Sequence, residues 1–307
     1  MVQHRSIAWM PAAADTRPPA GPAELDAAVA ALSGHRLAVL TGAGLSTDSG
    51  LPDYRGPEAA PRNPMTYEQF TSSARYRQHY WARNHLGWHS MYRTEPNKGH
   101  LALAAMERAG TVLGVITQNV DRLHERAGSG RIVDLHGNYN RIRCLSCGWE
   151  CTRAELDERL LALNPGFLEH VKELGDVEIA PDADAVLEST TGFVVASCPV
   201  CGGVLKPDIV FFGESVPPAR VREAFGIVDD AGALLIAGTS LAVMSGLRFV
   251  RHAARQKKPI VIINRGLTRG DELASVRLNA DTSEALSALA ERLTPYPPPA
   301  CWVRLCP

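Results

Sequence analysis

Residues 41–56 read TGAGLSTDSGLPDYRG, from Thr41 to Gly56, and follow directly on the apolar run Leu37-Ala38-Val39-Leu40. Such a run predicts a short buried strand, and Gly42-Ala43-Gly44 ends it. Two glycines separated by one alanine let backbone N–H groups approach a phosphate closely. Ser46, Thr47, Asp48 and Ser49 add short polar side chains, and Asp53, Tyr54 and Arg55 follow within reach of one ligand. The stretch therefore predicts a strand-to-loop site for a phosphorylated nucleotide. Taken alone, a G-x-G after a strand is just as often a tight turn. The dinucleotide fingerprint wants a third glycine at the sixth position and an acid about 20 residues on. Thr47 holds that sixth position, so the ordinary dehydrogenase reading fails.

Working outward, four more apolar runs end in glycine or polar residues. Thr111–Thr117 ends in Gln118-Asn119-Val120-Asp121, and Arg131–Leu135 ends in His136-Gly137. Ala233–Ala237 ends in Gly238-Thr239-Ser240, and Pro259–Ile263 ends in Asn264-Arg265-Gly266. Helical patterns lie at 24–33, 66–92 (one or two helices), 100–109, 217–229, 243–256 and 283–293. Strands alternating with helices predict an α/β fold with a Rossmann-like parallel sheet. Ligands of open α/β sheets bind at the carboxyl ends of the strands, so five such endings predict one nucleotide cleft.

The segment 138–206 breaks this alternation. It holds Cys144-x-x-Cys147 and Cys198-x-x-Cys201, a helix with a capping box from Thr152 to Glu155, and an acidic stretch with Asp176, Glu178, Asp182 and Asp184. The expected organisation is a flexible tail at 1–22, a discontinuous nucleotide-binding domain at 23–137 and 207–294, a small inserted domain at 138–206 and a Pro-rich tail at 295–307. The helical region 66–92 could pack on either domain.

With 307 residues, 45% hydrophobic content and a formal charge of −1, the chain predicts a folded globular protein without the basic footprint of a nucleic-acid binder. No apolar run approaches about 18 residues, so no membrane span is expected. Seven cysteines without a secretion signal point to metal binding in a reducing compartment. A cytoplasmic location is expected. Arg5 and Arg17 against the single acid Asp15 in residues 1–22 make the mitochondrial matrix the alternative.

Each C-x-x-C turns two thiolates toward one point, and two pairs complete the tetrahedral shell of Zn²⁺. Cys144, Cys147, Cys198 and Cys201 thus predict one structural zinc ion, closed to substrate because all four ligands are protein. A redox dithiol would need only one pair. Cys151, Cys301 and Cys306 receive no role. His136, at a strand end on the ligand edge, has the one side chain whose unperturbed pKa lies near neutrality, which suits a general base. Asn119 and Asp121 offer an amide and a carboxylate beside it, and a carboxylate can accept from the NH₂ of a carboxamide such as nicotinamide.

The ordered set GAGLSTDSGLPDYRG, TQNVD, LHG, two C-x-x-C pairs, KPDIVFFGE, GTS and INRG resembles the sirtuins, NAD-dependent protein-lysine deacylases, from about residue 25 to 293. YWARN at 80–84, Gly87-Trp88, Pro96-Asn97 and LNP at 163–165 look like the class II branch. The resemblance implies that Gly42, Ala43, Gly44, Ser46, Thr47, Asp53, Tyr54 and Arg55 line an NAD pocket. It implies that Gln118, Asn119 and Asp121 hold ribose and nicotinamide. Gly238, Thr239 and Ser240, then Asn264, Arg265 and Gly266, with Thr282, would hold the phosphates and the adenosine half. His136 would be the catalytic base, with Asn119 beside it. Val210, Phe211, Phe212, Gly213 and Glu214 would pair with an acylated-lysine peptide as an added strand. The implied products are free lysine, nicotinamide and O-acyl-ADP-ribose. Tyr80 and Arg83 have the Y-x-x-R spacing with which acidic-acyl sirtuins grip a carboxylate, although core packing of Tyr80, Trp81, Trp88 and Tyr92 explains the same aromatics. The implied partners are an acylated-lysine protein or peptide, with neither nucleic acid nor membrane. The rival readings are NAD-dependent protein mono-ADP-ribosyl transfer and, more remotely, a non-catalytic zinc-bearing binding module.

Overall fold

The computed structural model describes residues 15–53, 64–169 and 190–294. Tyr54, Arg55, the acidic stretch at 176–184 and the cysteines at 301 and 306 lie outside them. Among the described residues, nine strands fall in two sheets. Six are parallel, in the order β3 (Ile132–Asp134), β2 (Val112–Thr117), β1 (Leu37–Thr41), β7 (Ala233–Ala237), β8 (Ile260–Ile263) and β9 (Val276–Leu278). The chain builds outward from β1 to β3 and then returns to the other side of β1 with β7. That reversal, between β1 and β7, is where open α/β sheets form their ligand crevice.

Strands β1, β2, β7 and β8 are buried along their whole length, as expected of parallel strands covered on both faces. Alternation sorts their side chains into two layers. Leu37 and Val39 pack with Leu32, Leu103, Met106, Leu286 and Leu289 from the helices Pro22–Leu32, Lys98–Arg108 and Thr282–Leu293. Ala38 and Leu40 pack with Ile227, Leu247, Phe249 and Val250 from the helices Pro218–Asp230 and Met244–Arg255. The sixth strand, β9, was not expected from the sequence. Its three residues carry Arg277 in the middle, and the run is too short to show a period.

Register matters more to the site than the strand count. Asp134 pairs with Thr117, Thr117 with Thr41, Thr41 with Ala237, and Ala237 with Ile263. The five strands therefore end level, and the segments that follow them emerge along one rim.

A second, three-stranded sheet has the order β5 (Glu150–Thr152), β4 (Gly137–Cys144) and β6 (Leu205–Ile209), antiparallel throughout. The region 66–92 forms two helices, Tyr67–Ser72 and Ala74–Arg93, separated at Ser73. Phe70, Tyr80, Trp81, Trp88 and Met91 from these helices share a core with Tyr139, Ile142 and Leu205 of the small sheet. Thr152 starts the helix Arg153–Leu163 with the capping box read from the sequence: its Oγ1 accepts from Glu155 N at 3.1 Å, and its N–H donates to Glu155 Oε2 at 2.7 Å. Arg153 is fully buried there, 5.0 Å from the Trp88 ring centroid and 5.7 Å from that of Trp81, and ion-paired with Asp157 at 3.2 Å.

Candidate active site

The rim is knitted together by backbone. Gly42 N donates to Ala237 O at 3.1 Å and Gly44 N to Gly238 O at 2.8 Å. A Cβ on Gly42 would lie 2.6 Å from the Thr239 Cβ, and one on Gly238 would lie 2.2 Å from the Leu45 N. Gly238 also has φ +65°, which favours glycine. The two glycines of the opening motif were read as freeing amides for a phosphate. Their N–H groups instead join the loops after β1 and β7, and their missing side chains permit that contact. Thr47 Oγ1 and Thr282 Oγ1 both donate to Gly44 O, at 3.1 and 3.2 Å, so they brace the same loop.

Side chains from the end of β2 tie in next. Gln118 Nε2 donates to Thr41 O at 3.2 Å and to Thr239 Oγ1 at 2.9 Å. Asn119 Nδ2 donates to Gly42 O and to Ser46 Oγ, each at 3.1 Å. Ser46 Oγ donates to Asp121 Oδ2 at 2.7 Å, and Asp121 Oδ1 accepts from Leu123 N at 3.0 Å. Burial raises the Asp121 carboxyl above the usual carboxylate range, against these two hydrogen bonds.

His136 stands at the same corner, following β3 and opening into β4. Its Nδ1 lies 3.0 Å from Gln118 O and its Nε2 lies 2.8 Å from Ser245 Oγ. A carbonyl only accepts, so Nδ1 carries the proton and Nε2 keeps the lone pair. Burial pushes the imidazole down to about 4, and Arg248 and Arg220 add to the shift while the Gln118 carbonyl opposes it. At neutral pH the ring is an uncharged base with its accepting nitrogen defined. Gly137, with φ +93°, lets the chain turn here against Asp208 and Ile209 of β6. Ser245 was not singled out from the sequence. It lies in the first turn of the helix Met244–Arg255, five residues past Ser240, and nothing local distinguishes it.

In the loop after β8, Asn264 Nδ2 donates to Arg265 O at 2.8 Å and Gly266 O at 3.0 Å, which folds that loop. Arg265 is ion-paired with Asp281 at 2.7 Å. Gly238, Thr239 and Ser240 follow β7 on the same rim, and Ala43 lies in the turn Ala43–Leu45. Asp53 is half-buried at the end of the described part of the opening motif.

The segment 210–214 follows β6. Val210 N donates to His136 O at 2.7 Å, Tyr67 N to Phe212 O at 2.9 Å, and Phe211 N to Glu214 Oε2 at 2.9 Å. Gly213 takes φ +82° there. Glu214 is ion-paired with the buried Lys206 at 3.0 Å. The Tyr80 ring packs against Phe70, Trp81 and Phe211, and Arg83 Nη1 lies 2.8 Å from His79 Nε2. A carboxylate would have to displace that histidine to reach the Arg83 guanidinium at this atom. A separate cavity of 470 Å³ borders Asp121 and is lined by Trp88, Met91, Tyr92, Arg93, Arg122, Arg126 and Tyr139, among others. Neither Tyr80 nor Arg83 lines it.

The four cysteines converge as predicted. Cys144 and Cys201 Sγ are 3.5 Å apart, Cys147 and Cys198 Sγ are 3.7 Å apart, and all four sulfurs lie within 4.8 Å of one another. Zn–S bonds of about 2.3 Å in a tetrahedron put sulfurs about 3.8 Å apart, so the cluster fits zinc. The amide of Cys147 brings the Cys144 thiol down to about 6. The Gly203 amide draws Cys201 down, but the thiols of Cys147 and Cys144 raise it, to about 12 on balance. Four thiolates so close need a cation to ionise together, which is what Zn²⁺ supplies. His85, His89 and Asp157 also gather their ligand atoms, but Arg153 already neutralises Asp157 there. No helix among the described residues is long and apolar enough to cross a membrane.

With this geometry in place, comparison with known proteins is direct. A model of the Sir2 family matches residues 42–245. NAD-dependent protein deacetylase 1 of Mycobacterium avium (strain 104) is 57% identical over 277 residues, covering 90% of this chain and 98% of that protein. The NAD-dependent protein lipoamidase sirtuin-4, mitochondrial, of Bos taurus is 45% identical over 264 residues, covering 84% and 82%. The solved Sir2–p53 peptide–NAD+ structure matches with a TM-score of 0.67 at 31% identity, covering 86% of this chain and 95% of that one. A six-stranded parallel sheet whose level strand ends carry the expected motifs, a four-cysteine cluster on a small antiparallel sheet, and these matches place the chain in the Sir2 family of NAD-dependent protein deacylases.

Proposed function

We propose that this chain removes acyl groups from lysine side chains of proteins in an NAD-dependent reaction, with His136 as the general base. The observation that carries the assignment is the His136 ring, uncharged, with Nδ1 tied to the Gln118 carbonyl at the end of β2 and Nε2 left as its accepting nitrogen. When bound, NAD supplies a sugar carbon that becomes electrophilic as its neutral nicotinamide leaves.

The remaining work falls to the chain. Asp121 accepts from the carboxamide NH₂ of the nicotinamide. Asn119 is oriented in advance by Gly42 and Ser46, so it fixes the ribose side without reorganisation. Gly238, Thr239, Ser240, Asn264, Arg265, Gly266 and Thr282 hold the phosphates and adenosine, Gln118 joins Asn119 at the ribose, and Gly42, Ala43, Gly44, Ser46, Thr47, Asp53, Tyr54 and Arg55 line the NAD pocket. The segment Val210 to Glu214 holds the substrate peptide. His136 Nε2 would accept the proton of a ribose hydroxyl of bound NAD and so make that oxygen more nucleophilic toward the acyl group. Peptide binding is supported by the relative structure of Sir2Tm bound to a propionylated peptide, which is 30% identical and has a TM-score of 0.67.

We place the chain in the class II branch. The sirtuin-4 of Bos taurus and the deacylase SIR4 of Monosiga brevicollis, each 45% identical, support this. The first of these is a lipoamidase, which makes a lipoyl chain one of the acyl groups to test. A carboxylate would reach Arg83 at Nη1 only if His79 moved aside.

The test is an assay of purified protein with NAD and acetyl-, propionyl-, succinyl- and lipoyl-lysine peptides, following nicotinamide release and peptide mass. Acyl loss that requires NAD is expected, and His136→Ala should bind NAD but lose about 10²–10⁴-fold in turnover. Gain of ADP-ribose mass on protein without acyl loss would favour the mono-ADP-ribosyl reading. Near-wild-type turnover in His136→Ala would remove the base from the mechanism.

A further inference from the structure

The bond between Ser245 and His136 has a direction. Gln118 O can only accept, so His136 Nδ1 is the protonated nitrogen and Nε2 is the acceptor. At 2.8 Å, Ser245 Oγ is therefore the donor to Nε2. The lone pair that a general base needs is already engaged by an aliphatic hydroxyl of this chain. A ribose hydroxyl giving up its proton must donate to the same nitrogen, with the same kind of group and at the same distance. Both cannot hold one lone pair at once.

We propose that Ser245 is a positioning residue that occupies the place of the sugar hydroxyl on His136 Nε2 and rotates aside when the ribose arrives. This rests on the reading of His136 as the base. Serine suits the task. One χ1 step between staggered wells carries Oγ by roughly 2 Å with no movement of the backbone. While it is in place it fixes the ring between two hydrogen bonds, one at each nitrogen, so the accepting face is set before any sugar binds.

The charged surroundings act on the ring from further away. Arg248 lies one turn beyond Ser245 on the helix Met244–Arg255, and Arg220 lies on the helix Pro218–Asp230; both disfavour the imidazolium. Arg220 is partly neutralised by Asp208 of β6, at 2.5 Å, which also meets Arg141 of β4 at 3.2 Å. Asp134, on the strand before His136, is held by Asn138 at 3.0 Å. None of these groups donates to Nε2 as Ser245 does. In the free protein, removing the hydroxyl should make His136 protonate only at lower pH, because that hydroxyl would accept from the imidazolium more strongly than it donates to the neutral ring. In the loaded site the ribose supplies the missing donor, and the difference should disappear.

The test follows the His136 ring by NMR of protein labelled with ¹⁵N-histidine, with its signals identified by their loss in His136→Ala. In the free protein, Ser245→Ala should lower the titration midpoint of His136 by about half to one pH unit, the effect of one net hydrogen bond. Ser245→Thr, which keeps a hydroxyl, should titrate as the wild type. Saturating ADP-ribose should close the gap between Ser245→Ala and wild type. Equal midpoints in the free proteins would overturn the proposal, and so would a gap that persists with ADP-ribose bound. Retained turnover in His136→Ala is a separate failure: it would undo the base assignment and leave the NMR comparison to report only who donates to Nε2.

Discussion

At the scale of single residues, the site depends on atoms that are missing as much as on those present. Gly238 sits where the loops after β1 and β7 meet, and its φ of +65° puts any added Cβ 2.2 Å from the Leu45 N. That neighbour is backbone and cannot swing away. Gly238→Ala should therefore lose at least about 2 kcal/mol of stability, from left-handed strain and from forcing the loops apart. For a chain of this size that is a fall in Tm of at least about 4 °C, with weaker NAD binding by calorimetry. An unchanged melting curve would show that the contact is softer than it looks. The motif was legible in the sequence as glycine-rich, but the partner of each glycine was not. Only the return of β7 beside β1 shows that Gly42, Gly44 and Gly238 serve one contact.

Among elements, the helices Lys98–Arg108 and Leu123–Arg126 place two buried histidines together under β1. Asn97 caps the first helix by accepting from Gly99 N at 2.9 Å and His100 N at 3.2 Å. His100 and His124 have ring centroids 4.9 Å apart, and His124 Nε2 lies 2.9 Å from Thr41 Oγ1. Burial lowers His100 to about 4 and His124 well below its usual range, as it does His136. In the unfolded chain these imidazoles take up protons below about pH 6.5. In the folded chain His100 and His136 resist until about pH 4, and burial holds His124 uncharged well below its usual range. The unfolded state thus binds more protons between these limits, so stability is full above about pH 6.5 and falls as the pH drops. Each histidine contributes up to about 1.4 kcal/mol per pH unit in that window. Urea unfolding at pH 7.5 and 5.5 should show the loss, and His124→Gln should reduce the slope by close to one proton. An unaltered slope in His124→Gln would mean that its ring titrates normally in the folded protein.

For the whole molecule, two sheets with separate cores meet at His136, which closes one and opens into the other. The small sheet is held by the aromatic cluster around Trp81 and by the four cysteines. Structural zinc contributes on the order of 10 kcal/mol to a small module. Cys198→Ser should therefore give zinc-poor, aggregating protein by metal analysis and light scattering, with activity lost through unfolding. A folded, zinc-free, active variant would refute the structural role. The sequence by itself determined what is local: buried strands from runs such as Leu37–Leu40, the Thr152 cap, the thiolate pairs by their spacing, and polar residues after each strand. These follow from period, turn chemistry and ligand spacing, which neighbouring residues set. Tertiary structure alone decided the rest. Three-residue β9 forms because β8 offers it an edge, and the helix Ala74–Arg93 lends its aromatics to the small sheet because that sheet cannot bury itself alone. Ser245 reaches His136 across 109 positions of chain. No local pattern encodes such a contact, because it exists only once register has brought the strand ends level.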